Sequence, residues 1–304
     1  MKKPNTESTL PESVMIFGCG YVGTALARKL NGQGVRVGAL TRNVARAGEL
    51  RELGLAEVLT AELDGAGWKN EIIGNYDAVV NCVSSAGGGL EGYQKSYLEG
   101  QRRILEWAET QTIHSYIYTS STSVYPQDDG ALVDEGADTA GAPPTGQVLL
   151  ESEQLIHTHA GLVAQWYVLR LSGIYGPGRH FLISQLQESG GKIPGRGDYH
   201  MNMIHRDDIV GAILTALTGA APSGIYNISD DEPATKENVL IYLAGQLGFT
   251  VPDFDPENIP PRLRRRGGRM PDRKVSNQKA KALLQWKPKY PSYREGYTAI
   301  LDQL

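Results

Sequence analysis

The chain has 304 residues, of which 40% are hydrophobic and 21% are charged, a composition typical of a folded protein with room for one large and one smaller domain. Its formal net charge of −4 argues against a surface that binds nucleic acid over the whole molecule. Glycine, proline or charge interrupts every apolar run before about 18 residues, so no membrane span is predicted. The first residues, MKKPNTESTLPES, lack the apolar core of a secretory signal. We therefore expect a cytoplasmic protein whose partners are neither nucleic acid nor membrane.

Cys19 and Cys82 are the only cysteines of the chain. Two cysteines exclude a disulfide framework and a cysteine-rich metal site, and no metal is expected. Both lie at the ends of predicted strands that can be neighbours in a sheet, which leaves a redox pair open. Buried free cysteine is more often a small apolar side chain, and this second interpretation is favoured.

Short apolar strands alternate with helical segments in the first half of the chain. Strands that are continuously apolar are buried on both faces, as in a parallel sheet with helices on each side. The predicted fold class is therefore α/β, with a doubly wound parallel sheet of the Rossmann type. The predicted strands cover residues 14–17, 35–40, 56–59, 77–83, 116–119 and 166–171, and the predicted helices include residues 24–34, 43–53, 208–217 and 236–247.

The character of the sequence changes after the last of these strands. Loop-rich segments, YGPGRHF and GGKIPGRGDYH, follow there, and a proline-rich connector appears later in the chain. We predict a smaller C-terminal substrate lobe beside the Rossmann domain. The predicted ranges are residues 13–175 and 202–230 for the dinucleotide-binding domain, 176–201 and 231–304 for the substrate lobe, and 1–12 for a flexible tail.

Residues 18–23, GCGYVG, fit the pattern G-x-G-x-x-G between a predicted strand and a predicted helix. In this position Gly18 allows the tight turn, Gly20 lets a pyrophosphate approach the backbone, and Gly23 allows close packing of helix on strand. The helix N-terminus then faces the phosphates. The alternative is a tight glycine turn that binds nothing. The pattern predicts a dinucleotide site that also includes Tyr21 and Val22.

The end of the second predicted strand, residues 40–43 (LTRN), carries no acidic residue, and the next one is Glu49. An acidic residue about 20 positions after the glycine turn is the usual partner of the ribose 2′-hydroxyl of NAD. Arg42, helped by Thr41 and Arg46, suits the 2′-phosphate of NADP instead, although Arg46 is equally explained as part of an exposed helix face. NADP is therefore the favoured cofactor, and NAD is the alternative.

Five segments occur in the order typical of one superfamily. They are the glycine loop, residues 118–125 (YTSSTSVY), residues 168–179 (VLRLSGIYGPGR), residues 204–208 (IHRDD) and residues 226–230 (YNISD). Together they resemble the extended short-chain dehydrogenase/reductase superfamily, in its NAD-dependent epimerase/dehydratase group, over nearly the whole chain. The C-terminal segments WKP and YPSYREG are similar to an atypical branch of that superfamily.

The resemblance implies NAD(P) bound over the carboxyl edge of the sheet and a small substrate under the second lobe. It places Asp64 near the adenine, and Ser84, Ser85 and Ala86 along the cofactor. It also matches Ser121 to the catalytic serine of the family.

Two departures from the family pattern bear on the chemistry. The glycine loop is one residue shorter than the usual G-x-x-G-x-x-G. Alignment on residues 153–155 (EQL) puts Thr145 and Leu149 where the family has its catalytic Tyr and Lys. Loss of a positioned acid or base typically lowers the rate by about 10²- to 10⁴-fold, whereas proximity of bound reactants still lowers the barrier. The usual mechanism is therefore excluded, but an enzyme is not.

The candidate catalytic residues are Ser121, Tyr125 and Tyr175. Ser121 is interpreted as a hydrogen-bond donor that orients the substrate, with a structural hydroxyl at a strand end as the alternative. Tyr125 follows the serine motif of the fifth strand, where it can face the nicotinamide, and Tyr175 lies in the matching loop after the sixth strand. Both are candidate replacement acids, although in the family both positions commonly serve packing.

His205 titrates in a useful range. The family pattern instead indicates a hinge and the start of a helix here, with Asp207 or Asp208 as the N-cap. The structural interpretation of His205 is favoured.

Arginine-rich segments, above all RLRRRGGRMPDRK, indicate an anionic ligand, because arginine forks suit phosphate and carboxylate. The position of this run resembles that of nucleotide-sugar contacts in the family, and a basic surface loop explains it equally well. The candidate substrate-binding residues are Ser123, Arg179, His180 and Arg266.

A second apolar stripe at helical spacing is formed by Tyr93, Tyr97, Ile104, Leu105 and Ala108. In extended family members this helix and the helix after Thr145 pair with their copies, so the resemblance implies a homodimer. The alternative is that both stripes pack on the sheet of the same chain.

These observations favour an NADP-preferring oxidoreductase or epimerase. Its expected substrate is small and hydroxylated or carbonyl-bearing, such as a nucleotide sugar or another anion, and the usual Tyr/Lys pair takes no part. The alternative is a catalytically silent NADP-binding sensor or scaffold. Ser121 and the lobe motifs favour the enzyme, and Thr145 and Leu149 favour the sensor.

Overall fold

A computed structural model describes residues 9–65, 67–85, 87–258 and 270–304 of the chain. Its strands, in chain order, are β1 (Ser13–Phe17), β2 (Arg36–Thr41), β3 (Glu57–Thr60), β4 (Ala78–Asn81), β5 (Ser115–Ser121), β6 (Ala131–Val133), β7 (Gln165–Leu171), β8 (Gly173–Tyr175), β9 (Lys192–Pro194), β10 (His200–Met201), β11 (Met203–His205), β12 (Gly224–Ile228), β13 (Ala234–Thr235), β14 (Asp253–Asp255) and β15 (Arg273–Val275).

Helices connect most of these strands. The α-helices are α1 (Tyr21–Asn31), α2 (Val44–Glu52), α3 (Trp68–Glu71), α4 (Gly89–Tyr93), α5 (Gly100–Ala108), α6 (Pro144–Thr158), α7 (Phe181–Glu188), α8 (Arg206–Leu217), α9 (Lys236–Leu247) and α10 (Tyr293–Leu301). The other helical pieces are π-helical stretches at Gln94–Glu99 and Ala280–Leu284 and 3₁₀ turns at Thr122–Val124 and Ala160–Leu162. Within the described residues, no helix combines the length and apolar character needed to cross a bilayer.

Seven strands form one parallel sheet in the order β12-β7-β5-β4-β1-β2-β3. The chain winds in one direction from β1 to β3 and then in the other from β4 to β12. The carboxyl ends of β1 and β4 therefore lie side by side, with Phe17 paired to Asn81. Ligands of such sheets bind where the winding reverses. The order confirms the predicted doubly wound α/β fold.

The sheet is buried because its central strands are apolar on both faces. Val14 and Ile16 of β1 pack in the cluster that contains Leu26 of α1. Phe17 points to the opposite side and meets Trp68 edge-on at a ring distance of 5.4 Å. Successive side chains of a strand alternate between faces, so a continuously apolar strand suits a sheet between two helical layers.

The strand β12 is not among the strands predicted from the sequence. Its residues form the sheet edge beside β7, with Tyr226 paired to Leu169. The sequence IYNIS mixes apolar and polar side chains, so it lacks the continuous apolar character that marks the inner strands.

The second apolar stripe does not form one regular helix. The π-helical stretch Gln94–Glu99 separates α4 from α5. Ile104, Leu105 and Ala108 of α5 are buried in the core of the same chain. The alternative interpretation of the stripe, packing on its own sheet, holds for these three residues, and the homodimer stays a prediction.

The N-cap of α8 is His205, so the prediction of an aspartate cap was wrong. The Nδ1 atom of His205 accepts a hydrogen bond from the backbone N–H of Asp207 at 3.2 Å. Asp208 is turned inward, where its carboxylate accepts from the backbone N–H groups of Lys289 and Tyr290 at 2.5 and 3.1 Å. Because its carboxylate binds the C-terminal segment, Asp208 does not cap the helix.

A separate apolar cluster lies outside the sheet and joins α7, α9 and α10. The π-helical stretch Ala280–Leu284 and Trp286 pack instead in the sheet core that α8 shares. The indole N–H of Trp286 donates to the carbonyl of Asp208 at 3.1 Å. The predicted division into two domains stays a prediction.

Candidate dinucleotide and substrate site

The glycine turn follows β1 directly. Gly18 has φ +82°, in the left-handed region that favours glycine. Its N–H and that of Cys19 donate to the carbonyl of Leu40 at 2.9 and 3.1 Å. A Cβ atom on Gly18 would lie 2.5 Å from the backbone nitrogen of Val83. The turn is therefore held between the carboxyl ends of β2 and β4, and only glycine fits.

The other two glycines make room for α1 and for a ligand. A Cβ atom on Gly23 would lie 2.7 Å from the carbonyl oxygen of Gly18, whereas one on Gly20 would meet only that oxygen, at 4.0 Å. Gly20 therefore faces open space. Helix α1 begins at Tyr21 without a side-chain cap or an acidic residue in its first turn, so its free N–H groups suit an anion. The turn fits a dinucleotide pyrophosphate.

A cavity of about 330 Å³ opens beside this turn, at the carboxyl ends of β1, β2 and β4. Tyr21 borders a second cleft between α1 and α8, and Val22 and Gly23 are buried in α1. The residues predicted from the sequence that line the first cavity are Gly18, Gly20, Thr41, Arg42, Asp64 and Ser84.

The turn from β2 into α2 forms one end of the cavity. Arg42 is exposed at the rim. The side chain of Asn43 caps α2 by accepting from the backbone N–H of Arg46 at 2.9 Å, and the hydroxyl of Thr41 accepts from the N–H of Asn43 at 3.2 Å. Arg46 forms an ion pair with Glu49 at 2.6 Å. Arg42 is therefore the better-placed cation for a 2′-phosphate.

Asp64 lies on the opposite rim. The ammonium of Lys95 is 2.8 Å from Asp64 and 3.2 Å from Glu62. Its hydrogen bond lowers the pKa of the Asp64 carboxyl. This ion pair joins the loop after β3 to the π-helical stretch. Of the remaining predicted cofactor contacts, Ser85 follows the lining residue Ser84, and Ala86 lies outside the described residues.

Cys19 and Cys82 both line the cavity as free thiols. Burial raises the pKa of Cys82 to about 12 and raises that of Cys19 as well. The thiolate is the reactive form of cysteine, so the geometry favours the small apolar interpretation over a redox pair.

Ser121 ends β5 and is half-buried. Its hydroxyl oxygen accepts from the backbone N–H of Ser123 at 3.2 Å, and a hydroxyl that accepts can also donate. The hydroxyl of Ser123 is buried, and no hydrogen-bond partner for it occurs in the described part of the chain. Both hydroxyls suit contact with a bound molecule.

Tyr125 does not face the cavity. Its hydroxyl donates to Oδ1 of Asn227 at 2.7 Å and accepts from Nη1 of Arg170 at 3.0 Å. Arg170 forms a buried ion pair with Glu153 at 2.7 Å, and Glu153 also accepts from Ser120 at 2.6 Å. The expectation that Tyr125 faces the nicotinamide is wrong, because this buried network occupies its hydroxyl.

Tyr175 is buried in the apolar cluster of α7, α9 and α10. Its ring stacks on Tyr297 at 4.9 Å, and its hydroxyl faces the carbonyl of Ser292 at 3.5 Å. Burial raises the pKa of this hydroxyl. This burial argues against Tyr175 as a replacement acid. The neighbouring His205 is buried as well, which lowers its pKa to about 4 and keeps it neutral.

Arg179 lies beside the glycine turn. Its guanidinium and that of Arg206 both lie over the ring of Tyr21, at 5.5 and 5.2 Å from the ring centre. His180 precedes α7, and its buried Nδ1 has no hydrogen-bond partner among the described residues. Arg266, with most of the arginine-rich run, lies outside the described residues.

Helix α6 contains the two positions where the family has Tyr and Lys. Thr145 lies half-buried in its first turn. Leu149 has no exposed surface and packs with Val124, Tyr125 and Val133. An ammonium at this position would be buried without a charged partner, at a high cost. The position that holds lysine in the family is therefore part of the apolar core in this chain.

Tyr97 is a residue that the sequence did not mark as chemical. It was predicted only as one member of an apolar stripe. In the structure it follows Lys95 and Ser96, which line the cavity, within the π-helical stretch. An apolar stripe does not reveal the direction of a hydroxyl, and the change of helical geometry here has no sequence signal.

Comparison with known proteins agrees with this geometry. A family model described as the NAD dependent epimerase/dehydratase family matches residues 14–229. The 3-diazoavenalumate denitrifying reductase of Streptomyces sp is 28% identical over 321 residues, covering 93% of this chain and 98% of the relative. Protein YeeZ of Escherichia coli strain K12 is 28% identical over 246 residues, covering 80% and 86%.

A solved structure of UDP-glucuronic acid 4-epimerase from Bacillus cereus, in complex with UDP-glucuronic acid and NAD, has a TM-score of 0.80. It is 21% identical and covers 95% of this chain and 98% of its own. At this identity the likeness shows the fold alone.

The reversed winding of the sheet and the glycine turn at its switch point define an α/β protein of the Rossmann fold. The chain belongs to the NAD-dependent epimerase/dehydratase family, because the family model covers more than half of it. The resemblance inferred from the sequence is confirmed.

Proposed function

We propose that this chain binds NADP(H) in the cavity beside the glycine turn and catalyses oxidoreduction or epimerisation of a small hydroxylated or carbonyl substrate. The fit of the glycine turn and the α1 N-terminus to a pyrophosphate carries the proposal. The exposed Arg42 at the ribose end supports NADP, and NAD, bound by the epimerase of similar fold, is the alternative. Family membership and a relative named as a reductase support an enzyme.

The substrate side of the site supports an anionic ligand. Ser121 is proposed to donate a hydrogen bond to the reacting oxygen. Ser123 and His180 have buried polar atoms without partners among the described residues, and Arg179 supplies positive charge nearby. Nucleotide sugars are one such anionic class, favoured by the ligand of the epimerase of similar fold.

Leu149 favours a second function. Leu149 stands where the family has its lysine and is buried, so α6 lacks the family cation. A protein that keeps the cofactor cavity but lacks this cation could bind NADP as a sensor without turnover. The two functions differ only in turnover.

Calorimetric titration of nucleotide-free protein with NADPH, and with NADH in parallel, tests the cofactor site. Tight NADPH binding with weaker NADH binding supports the proposal. No binding of either nucleotide contradicts it, and equal binding contradicts the role of Arg42.

Turnover is then measured with three probes, namely 4-carboxybenzaldehyde with NADPH, and UDP-glucose and UDP-glucuronic acid with NADP⁺ or NAD⁺. Reduction or epimerisation faster than in buffer supports the enzyme. Tight cofactor binding without turnover of any probe supports the sensor.

A further inference from the structure

A second cleft lies between α1 and α8, next to the cofactor cavity. Its volume is about 930 Å³, within the range of pockets that hold small molecules. Residues of α1 form one wall, residues of α8 form another, and Pro177 and Gly178 also line it. Gly20 and Arg46 line both this cleft and the cofactor cavity. The cleft is therefore a separate space that borders the proposed cofactor site.

The lining of this cleft is strongly positive. Of the described residues that line it, Asp207 is the one carboxylate, and five are cations, namely Arg28, Lys29, Arg46, Arg206 and Lys289. Glu49 lies beside the cleft and pairs with Arg46 at 2.6 Å and with Arg28 at 3.9 Å. Two carboxylates thus face five cations, so three positive charges remain, whereas the formal net charge of the whole chain is −4. A local excess of this sign attracts anions.

Lys29 and Lys289 are the cations that remain available to a ligand. Both are exposed, and neither forms an ion pair with any described residue. The ammonium of Lys289 lies over the ring of Tyr290, at 4.8 Å from the ring centre. Arg206 is bound instead by Asp207, whose Oδ1 accepts from Nε at 3.0 Å and lies 2.9 Å from Nη2. Lysine ammonium groups are common ligands of phosphate, to which each can donate three hydrogen bonds.

The wall of the cleft at Tyr21 is formed before any ligand binds. The hydroxyl of Tyr21 donates to the carbonyl of Pro177 at 3.0 Å, and the guanidinium of Arg206 lies 5.2 Å from the centre of the same ring. A Cβ atom on Gly176 would lie 2.7 Å from this hydroxyl, so glycine leaves the room that Tyr21 needs. A wall fixed in advance lowers the entropy lost on binding.

The lining also has an apolar part. Ala25 of α1 and Val210, Gly211 and Leu214 of α8 belong to it. An inorganic anion gains nothing from apolar surface, whereas the organic body of a phosphorylated molecule can be buried against it. Pockets for small molecules commonly combine such surface with a few charged groups. The cleft therefore suits a phosphate group with an organic body better than phosphate alone.

We propose that this cleft binds a small phosphorylated molecule, with Lys29 and Lys289 supplying the charge for its phosphate and Ala25, Val210 and Leu214 the surface for its organic body. Mononucleotides and sugar phosphates share this chemistry. The inference goes beyond the proposed function, because the cleft is distinct from the cofactor cavity and its ligand does not depend on the nucleotide bound there.

Calorimetric titration of nucleotide-free protein tests the inference, with inorganic phosphate, AMP and glucose 6-phosphate as probes. We expect AMP or glucose 6-phosphate to bind more tightly than inorganic phosphate, and the tighter of the two distinguishes a mononucleotide site from a sugar phosphate site. The double variant Lys29→Gln/Lys289→Gln removes both available charges. It is expected to raise the Kd of the tighter probe by about 10-fold or more, the usual effect of losing a hydrogen bond to a charged group.

The matched control is Lys274→Gln/Lys287→Gln, which removes the same charge from exposed residues outside both cavities. It is expected to keep the wild-type Kd. Thermal unfolding of both double variants verifies that each is folded. Equal Kd values in the two double variants overturn the inference, because the probe then binds elsewhere, such as in the cofactor cavity.

The outcomes separate this inference from the proposed function. Failure of all three probes to bind a protein that binds NADPH overturns the cleft as a phosphate site and leaves the cofactor site standing. Binding of a probe that depends on Lys29 and Lys289, in a protein that binds neither NADPH nor NADH, supports the cleft and contradicts the proposed function.

Discussion

The proposed preference for NADP over NAD depends on the side chain of Arg42. It is exposed at the cavity rim. A hydrogen bond to a charged group contributes about 1.5–3 kcal/mol, which corresponds to about 10- to 100-fold in affinity. We expect Arg42→Ala to raise the Kd for NADPH by this factor and to leave the Kd for NADH nearly unchanged. Calorimetry measures both constants.

The control is Arg51→Ala, which removes the same charge from the exposed face of α2. If Arg42→Ala weakens the binding of NADPH and NADH equally, the proposed 2′-phosphate contact is refuted.

Tyr125 contributes to stability through its buried hydrogen bonds. Removing its hydroxyl leaves Oδ1 of Asn227 and an N–H group of Arg170 without their partner. Tyr125→Phe is therefore expected to lower the free energy of unfolding by about 1–3 kcal/mol and to leave NADPH affinity unchanged. Urea unfolding measures the first quantity and calorimetry the second. A variant with normal stability but no turnover would restore Tyr125 as a catalytic candidate.

Local sequence patterns marked residues that line the cavity. Gly18, Gly20 and Arg42 lie there, because a glycine turn and the end of the next strand are defined by neighbouring residues, and their contact with a cofactor stays a prediction. The burial of Tyr125 and Tyr175 was not predicted, because their hydroxyls contact Asn227 and Ser292, which lie far along the chain. No local pattern encodes such contacts.

Helix α6 shows how one element can keep its fold and change its chemistry. Pro144 opens the helix in its first turn, and Val148, Leu149 and Ile156 bury one face. The same helix supplies Glu153 to the buried pair with Arg170. The position of the family lysine thus serves packing, and α6 supplies no cation there.

Restoring the family lysine on α6 is expected to destabilise the protein. Leu149 is fully buried among apolar side chains, so Leu149→Lys places an unpaired ammonium there. We expect the free energy of unfolding to fall by about 3–5 kcal/mol, the usual cost of an uncompensated buried charge. Leu149→Met conserves volume and should cost less than about 1.5 kcal/mol. Urea unfolding compares the two variants, and a Lys variant as stable as the Met variant would show that the position opens to the cofactor cavity.

The dependence of stability on pH is a property of the whole fold, to which buried acids contribute. Asp230 is 2% exposed, and burial raises its pKa well above the ordinary 3.8. A carboxyl that holds its proton more tightly when folded stabilises the fold at low pH. That contribution is lost as the pH rises from the unfolded toward the folded pKa.

Asp208 acts in the same direction, because burial raises its pKa to about 6. His205, with its pKa lowered to about 4, acts in the opposite direction: its contribution is present above its unfolded pKa and is lost as the pH falls.

Asp230→Asn removes the first of these contributions. We expect the variant to gain stability over the wild type, and the gain to grow between about pH 5 and about pH 8. Urea unfolding at both pH values measures the difference, and Asp302→Asn, on an exposed residue, is the control. A gain that is constant with pH would show that Asp230 is ionised alike in both states.

The assembly of whole chains stays a prediction. The helices that pair in extended family members are α5 with its preceding stretch and α6, and α5 has Ile104 and Leu105 buried within one chain. Sedimentation analysis measures whether the remaining surface of these helices supports the homodimer.

The doubly wound sheet, the glycine turn and the family could be predicted from the sequence, because apolar periodicity and the need for glycine depend on residues that are neighbours in the chain. The partners of the hydroxyls and cations became visible in the folded structure alone. Tyr125 is held by Asn227, 102 positions away, and the guanidinium of Arg179 lies over the ring of Tyr21, a residue of a separate element. Such directions depend on partners far along the chain, and they exist only after the sheet and the lobe have packed.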